Sequence, residues 1–499
     1  MPGANFLLIG ALTTWLTPLW LLSVGVAGGV VILAAGYGIL RLVSPRAARE
    51  VADSIRESLL LPVLYLALFM TVVAVVGTVA VPARSLLATV SRIPAVGVKE
   101  VEFVIPPASL EHRIPIDFTP AEVKSFELVS DQPITVYTKM TTPAGTNDAA
   151  KLKPDAPYTW SRQSTDDRNQ KKLPRAWPEW TVQNTTSQPA HLKIRSVTDI
   201  AFPEVRVVPL AALSVVGLFA VYLALRFLFP KVAAIALTTS KDSASQPLFY
   251  VTMAIGAFAM LAFVYIPYNT FGEDVKVLKD QGLTLIMVIG IIVAVWSASI
   301  SVSEEIEGRT ALTLLSKPVH RRQFIFGKFF GILEPVLLMF IMLGFLMMVA
   351  VSYKMVYDAR EVARAEPTWQ ACYLEVVRTV PGLVLAFMET VVLAAISVAI
   401  STRMPMLANI IICFSIYVLG HLVPVLVNSS VKSFPLVHFV GQFFATILPV
   451  LEHFNIQAAV AAGAEVPLSY LGMAGVYCLL YSSIAMLLAL AMFEDRDLA

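Results

Sequence analysis

The stretch SEEIEGRTALTLLSKPVHRRQFIFGKFF, residues 303–330, is a charged segment between two long apolar runs. The runs on either side, residues 283–302 and 324–350, each provide the ~20 mostly apolar residues with which a helix crosses a hydrocarbon core. The whole chain has the same character, because 57% of its 499 residues are hydrophobic and 14% are charged. A soluble domain is about half apolar and about a quarter charged. The sequence therefore predicts an α-helical polytopic membrane protein.

Seven further apolar runs bring the predicted number of transmembrane helices to about nine. They cover residues 18–43, 59–82, 207–229, 248–268, 379–401, 409–427 and 471–493. Within residues 1–82, the N-terminal membrane segments, Thr17-Pro18 is expected to break the helix, because a residue before proline disfavours helical geometry. Residues 5–16 are then too short to cross alone, and we expect them to lie in the interface or to re-enter. If they do cross, the number of spans rises by one.

Residues 83–206 are of another kind, being polar, rich in proline and threonine, and marked by short alternating stretches. Five of these stretches are typical of strands: VKEVEFVI, FELVSD, ITVYTKM, EWTVQNTT and AHLKIRSV. Between them, NDAAKLKPDAP and STDDRNQKK are predicted to be polar loop. A region of about 100 residues with this pattern favours an antiparallel β-sandwich.

The charge of the short loops predicts the orientation, since Lys and Arg concentrate on the cytoplasmic side. Three loops that share one face of the membrane carry more of them: residues 41–58, 230–247 and 303–322. The opposite loops carry fewer, although residues 354–378 hold four. Loop 303–322 and the C-terminus are thus expected to be cytoplasmic, and the β-rich region 83–206 is expected to be extracytoplasmic.

The rest of the chain is predicted to continue the membrane domain. Residues 207–247 are expected to form a third span and a cytoplasmic linker, and residues 248–499 a core of six spans. Within that core, residues 434–455 are apolar but are interrupted by Pro435 and Pro449, which leaves too few residues to cross. We expect a re-entrant or interfacial segment there, on the outer face.

The charged segment is predicted to contain a short amphipathic helix over residues 303–316. Ser301 and Glu304 have the spacing of a capping box, and acids in a first helical turn suit the helix dipole. Pro318 ends the helix. Lys328, at the start of the next span, is expected to snorkel to the interface.

Two interpretations of this segment follow from its residues alone. A plain cytoplasmic loop accounts for the arginines, but it has no need for three glutamates and a leucine pair. An exposed apolar patch rimmed by charge is typical of a docking surface for another protein.

The segment resembles the signature of ABC-2 type permeases, the membrane subunits of a class of ATP-driven exporters. In that signature a glutamate is followed by Gly-Thr, a leucine pair, Pro-Val, an arginine and Gly-Lys. The matching residues here are Glu305 or Glu307, Gly308 with Thr310, Leu314-Leu315, Pro318-Val319, Arg321 or Arg322, and Gly327-Lys328. Arg309 separates the glycine from the threonine and is a departure from the pattern. The signature covers under a tenth of the chain.

The resemblance implies an ABC-2 type six-helix core in which this loop is the coupling helix, resting on a separate ATPase subunit. The residues expected to form the docking surface are Glu304, Glu305, Glu307, Gly308, Arg309, Thr310, Leu314, Leu315, Pro318, Arg321, Arg322, Gly327 and Lys328. The expected partners are that ATPase subunit, a second permease copy or paralogue, and the lipid membrane, but no nucleic acid. The expected location is the plasma membrane, the inner membrane of a bacterium.

The sequence carries no enzyme signature. It lacks the phosphate loop G-x-x-x-x-G-K-[ST], the motif H-E-x-x-H, and any Cys/His cluster with the spacing of a metal site. We expect no catalytic residue and no directly bound cofactor or metal. ATP and Mg²⁺ are expected on the partner subunit.

Three ionisable residues fall inside predicted spans, where such groups are costly and usually face a bundle interior or a wet cavity. They are Glu334, Glu389 and His421. They are candidates for a polar translocation path or a proton-linked step. Helix–helix hydrogen bonding is the alternative, since polar side chains commonly join membrane helices.

The resemblance thus implies the permease subunit of an ABC exporter, coupling ATP hydrolysis by a separate subunit to substrate movement. Two alternatives stay open. One is a non-transporting scaffold or sensor whose outward β domain binds a ligand. The other is an ion-coupled secondary transporter using Glu334 and Glu389, although such transporters often contain inverted repeats and none is evident. The substrate, and whether the two permease chains are identical, stay open as well.

Overall fold

The computed structural model shows a largely helical protein, 73% helix, with a small region of β-sheet. It describes residues 3–119, 121–138, 149–161, 179–266, 268, 273–305, 319–428 and 435–494. The chain divides into two compact units. The membrane unit comprises Met1–Val81 and Val207–Ala499, and the β unit comprises Pro82–Arg206.

The membrane unit is built of helices, and one further helix, α4, belongs to the β unit. The helices are α1 Gly3–Val43, α2 Pro45–Glu57, α3 Leu61–Val76, α4 Ala83–Arg92, α5 Val207–Leu228, α6 Pro230–Ser245, α7 Pro247–Tyr265, α8 Asp274–Ala298, α9 Arg321–Glu361, α10 Trp369–Ser401, α11 Met406–Asn428, α12 Pro435–Ile447, α13 Gln457–Ala461 and α14 Leu468–Glu494.

Eight helices in the described part of the chain are long and apolar enough to cross a membrane. They coincide with eight of the nine predicted spans. The remaining predicted span, residues 409–427, lies within α11, Met406–Asn428. The protein is therefore a multi-pass helical membrane protein, and α8, α9 and α10 are the most buried of its spans.

The predicted break at Thr17-Pro18 is wrong. Helix α1 is continuous from Gly3 to Val43, with Pro18 inside it. A proline removes one helical hydrogen bond, but neighbouring helices and Ser or Thr side chains can satisfy the freed carbonyls of a membrane helix. Pro18 has no N–H to donate to the carbonyl of Thr14; one residue earlier, the Thr17 hydroxyl donates to the carbonyl of Thr13 at 2.5 Å. Residues 5–16 are thus part of the first helix rather than a separate piece.

Residues 230–247, expected to be a linker, form helix α6, which packs tightly on α9 at two glycines. A Cβ added to Gly327 would lie 2.6 Å from Ile235 Cβ, and one added to Gly331 would lie 2.6 Å from the carbonyl oxygen of Ala236. Small residues four apart are a common device for close helix contact in membranes, because they let two backbones approach. Gly327 therefore serves this packing.

Filling this contact will destabilise the membrane unit. We expect Gly331→Val to cost about 1–3 kcal/mol, because the new side chain meets backbone that cannot move aside. Thermal unfolding in detergent measures the effect. Gly472→Val in α14 is the matched control, since no atom lies within 4 Å of its added Cβ. Equal melting temperatures for the two variants would contradict the proposed close contact.

The β unit contains two four-stranded antiparallel sheets, ordered β1-β8-β3-β6 and β2-β7-β4-β5. The strands are β1 Val98–Ile105, β2 His112–Pro115, β3 Val123–Ser130, β4 Ile134–Thr138, β5 Ala149–Leu152, β6 Tyr158–Ser161, β7 Glu179–Asn184 and β8 Ala190–Thr198. Buried side chains of both sheets form one hydrophobic core, with Phe126 and Trp180 among its largest members. Two antiparallel sheets around a shared core make a β-sandwich.

The five predicted strands coincide with β1, β3, β4, β7 and β8. Three short strands were not predicted. The stretch NDAAKLKPDAP, predicted to be loop, contains β5, which pairs with β4 from Ile134↔Leu152 to Tyr137↔Ala149. Four residues are too few to show an alternating pattern. Whether so short a stretch forms a strand therefore depends on pairing with a neighbouring strand. The stretch STDDRNQKK lies outside the described residues.

Arg92, at the end of α4, organises a charged cluster in this unit. Its guanidinium lies 3.1 Å from Glu122 Oε1 and 3.0 Å from Asp117 Oδ1. Burial alone would raise the pKa of Glu122, but the hydrogen bonds from Arg92 and from the Thr119 amide outweigh it and lower that pKa. Lys99 and Arg92 likewise hold the pKa of Asp117 below its usual value.

Removing this arginine will weaken the β unit in a pH-dependent way. We expect Arg92→Met to cost about 1–3 kcal/mol at neutral pH, because it leaves the buried Glu122 carboxylate without its partner. A lowered carboxyl pKa contributes stability above the unfolded value of about 4, and that contribution is lost as the pH falls. The cost should therefore shrink below about pH 4. Hydrogen exchange of the β3 amides measures it, with the exposed Lys151→Met as the control; a cost independent of pH would contradict the argument.

Candidate functional site

The central part of the 303–330 segment, residues 306–318, lies outside the described residues. This part holds Glu307, Gly308, Arg309, Thr310, Leu314, Leu315 and Pro318, and the side chain of Glu304 is likewise not described. The helix over 303–316 stays a prediction. The structure does describe the two flanks of the segment, which we call the near flank, Ser299–Glu305, and the far flank, residues 319–328.

The near flank corrects one prediction. Ser301 and Glu304 do not begin a new helix; residues Ser299–Glu304 continue α8 as a π-helical turn. Such turns insert one extra residue into an α-helix and occur frequently at functional sites. The extra residue leaves backbone and side-chain groups that need other partners. The Ser303 hydroxyl supplies one such contact by donating to the carbonyl of Met404 at 2.9 Å.

Asn409 of α11 ties this turn to the surrounding helices. Its buried amide nitrogen lies 2.7 Å from the Ser299 hydroxyl and 2.8 Å from the hydroxyls of Ser397 and Ser401 in α10. One side chain therefore joins the near flank, at the end of α8, to α10 and α11. Sequence reasoning missed Asn409, although a lone asparagine in an apolar run was a signal, because membrane helices use such residues to hydrogen-bond across interfaces.

Lys328 does not snorkel, so that prediction is wrong. The side chain is 3% exposed, and its Nζ lies 2.5 Å from Glu305 Oε1. The ammonium also lies 5.6 Å from the centre of the Phe324 ring. A buried charge requires an opposite charge or hydrogen bonds, and Glu305 supplies both. The pair bridges the segment, because it joins the last described residue of the near flank to the first turns of α9.

The far flank is anchored to helix α14. His320 and Gln323 cap the start of α9 reciprocally, side chain to backbone in both directions. Arg321 donates to the carbonyls of Phe493 and Glu494 at 3.0 and 2.7 Å, and its guanidinium lies 5.6 Å from the Phe493 ring. Arg322 is exposed. The first turn of α9 is thus bound to the last turn of α14.

A polar cavity of about 390 Å³ lies beside the near flank. It is lined by Asp242, Ser243, Ser245, Gln246, Ser297, Ile300, Ser301 and Glu305. The Ser301 hydroxyl is buried there and has no hydrogen-bond partner among the described residues. The cavity separates the end of α6 from the π turn and offers room for a polar side chain.

The structure brings two of the three intramembrane residues together. Glu389 of α10 is fully buried, and its Oε1 lies 3.5 Å from His421 Nε2 of α11. The other ring nitrogen, Nδ1, lies 3.1 Å from the carbonyl of Tyr417. Glu334 has a different setting, since it faces Ser240 of α6 and the charge of Arg226.

Two further buried ion pairs were not predicted, at the opposite end of the same helices. Lys279 Nζ lies 2.7 Å from Glu375 Oε2 and 3.1 Å from the carbonyl of Val460, joining α8, α10 and α13. Lys354 Nζ lies 3.0 Å from Asp358 Oδ1 within α9. Both lysines were assigned to loops because they lie outside the apolar runs. The i, i+4 spacing of Lys354 and Asp358 was the available signal.

Breaking the pair at the near flank will loosen the segment. We expect Lys328→Met to speed trypsin cleavage after Arg309 several-fold, because Glu305 loses its partner and local opening becomes easier. Lys328→Arg, which keeps the charge, should lie between this variant and the native chain. Lys241→Met, at an exposed position in α6, is the control. Unchanged cleavage in Lys328→Met would mean that the pair does not hold the segment.

Among the described residues, no three His, Cys, Asp or Glu side chains cluster in a way that could hold a metal ion. The chain matches no protein-family model and no curated protein. What is established is therefore the class of the molecule: it is a multi-pass helical membrane protein with a separate β-sandwich unit.

Proposed function

We propose that this chain is the permease subunit of an ABC exporter of the ABC-2 type, with its six-helix core in residues 248–499. The observation that carries the proposal is the 303–330 segment. Its order of acid, Gly-Thr, leucine pair, Pro-Val, arginine and Gly-Lys resembles the coupling segment of that family, and it lies between the second and third spans of the core. The protein would lie in the plasma membrane with residues 303–322 and the C-terminus cytoplasmic and residues 83–206 outside.

The two flanks support a coupling role for the residues between them. The near flank is fastened to α11 through Asn409 and to α9 through the pair of Glu305 with Lys328. The far flank is fastened to α14 through Arg321. A segment held at both ends by polar contacts is coupled to the helices that hold it, most strongly at the near flank, where the contacts are buried and costly to leave unpaired.

In the mechanism we propose, closure of two ATPase subunits around ATP pushes on residues 306–318 of two permease chains. The push passes through the flanks to α8, α9 and α11 and opens a path toward the outer face. ATP and Mg²⁺ act on the ATPase subunit. The β unit would receive or hand on substrate outside the membrane.

Co-purification tests this proposal. The tagged chain, extracted from its native membrane in mild detergent, should retain an ATPase. Glu307→Lys and Leu315→Glu each change a residue of the proposed docking surface without touching the pair of Glu305 with Lys328. Each should reduce the retained ATPase activity about tenfold, which corresponds to ~1.4 kcal/mol of binding free energy.

Glu50→Lys is the matched control, because it reverses an exposed acid in α2, which is expected at the same membrane face. It should leave the retained activity unchanged. A native chain that brings no ATPase with it, purified from cells that express one beside it, would overturn the proposal. Equal losses in the docking variants and the control would place the docking surface elsewhere.

A further inference from the structure

Glu389 and His421 form a polar pair within the membrane core that the proposed coupling mechanism does not use. At 1.5 Å per residue, Glu389 lies about 18 Å along α10 from the end of that helix at Ser401. Its side chain is 0% exposed, and neither carboxyl oxygen has a hydrogen-bond partner among the described residues. His421 Nε2 lies 3.5 Å from Oε1. A carboxylate in this setting is costly unless it binds a proton or a cation.

The groups around the pair favour a proton over a metal ion or an organic cation. The titratable neighbours are Tyr417, on the same helix as His421, Glu452, whose charge reaches Glu389, and Cys478, whose thiol contacts the carbonyl of Met388. These groups do not supply the several close oxygen or nitrogen ligands that a metal ion requires. Histidine, in contrast, exchanges a proton near neutral pH.

His421 also provides contact with the surroundings. Its side chain is 21% exposed, whereas Glu389 is fully buried. The turn Leu451–His453 packs against α11 beside it, because a Cβ added to Gly420 would lie 2.8 Å from Leu451 side-chain atoms. Glu452 on that turn is exposed. An exposed acid and a partly exposed base thus both lie close enough to act on the buried acid.

We propose that Glu389 and His421 form an intramembrane proton-binding site, with His421 exchanging the proton between Glu389 and the exterior of the bundle. In the loaded state one proton is shared by the pair, on the carboxyl oxygen or on Nε2. In the empty state Glu389 is a carboxylate and His421 is neutral. The full burial of Glu389 suits the loaded state, so release of the proton accompanies a rearrangement that exposes the carboxylate to water. This inference does not depend on the ATPase partner.

A hydrophobic carbodiimide tests the site, because this reagent modifies protonated carboxyl groups in apolar surroundings. The purified full-length chain in lipid vesicles is treated across about pH 5 to 8, the range in which a histidine ordinarily titrates. Mass spectrometry then quantifies modification at Glu389. We expect modification to fall as the pH rises. Glu389→Gln should abolish it at this position while leaving modification elsewhere unchanged.

His421→Gln distinguishes proton exchange from a merely buried acid. It keeps a polar side chain but removes the base, so Glu389 should keep its proton, and its modification, to higher pH than in the native chain. His453→Gln, at an exposed histidine on the neighbouring turn, should leave the profile unchanged. Modification of the native chain that does not vary with pH, or that is absent at every pH, would overturn the proposal. Identical profiles for His421→Gln and the native chain would do the same.

Discussion

Hydrocarbon offers no hydrogen-bond partner, so every polar group that a membrane helix carries inward must find one within the protein. The membrane unit is arranged around this constraint. Lys328 finds Glu305 at one end of the core, and Lys279 finds Glu375 at the other. Between these ends, the Asn409 side chain hydrogen-bonds to serine hydroxyls of α10 and of the π turn that continues α8. Around these polar contacts, apolar side chains of α8, α9 and α10 form the hydrophobic core.

This constraint explains which parts of the fold the sequence predicts well. A span is recognised from its length and apolar composition because the bilayer sets both, and eight of the predicted spans coincide with span-length helices. Long alternating strands such as β3 and β8 are recognised for a similar reason, since one face of each is buried. The prediction failed where tertiary contacts decide, as at Pro18, where the chain stays helical, and at β5, where pairing with β4 makes a strand of a polar stretch.

In the candidate site too, some features could be predicted from the sequence and others depend on tertiary contacts. The pattern of the 303–330 segment could be recognised from its residues, but the role of its members could not. Lys328 looks like an interfacial lysine in sequence and is a buried ion-pair partner in the structure. Ser301 and Glu304 have capping spacing, yet they lie in a π turn, because α8 continues through them. Glu389 and His421 are 32 positions apart in the sequence, so only the packing of α10 against α11 reveals them as a pair.

The contact of α6 with α9 bears on where the six-span core begins. A core cut before α7 would leave Gly327 and Gly331 uncovered where Ile235 and Ala236 now lie. Helix α6 therefore packs with the later spans as part of the same core, although it precedes them in the chain and is too polar to be a transmembrane span. The earlier spans belong to the same compact unit, and the Ser352 hydroxyl of α9 donates to the carbonyl of Trp15 in α1. Shuffling or fusion of this chain with other proteins would preserve the contact of α6 with α9 only when the junction falls before Pro230.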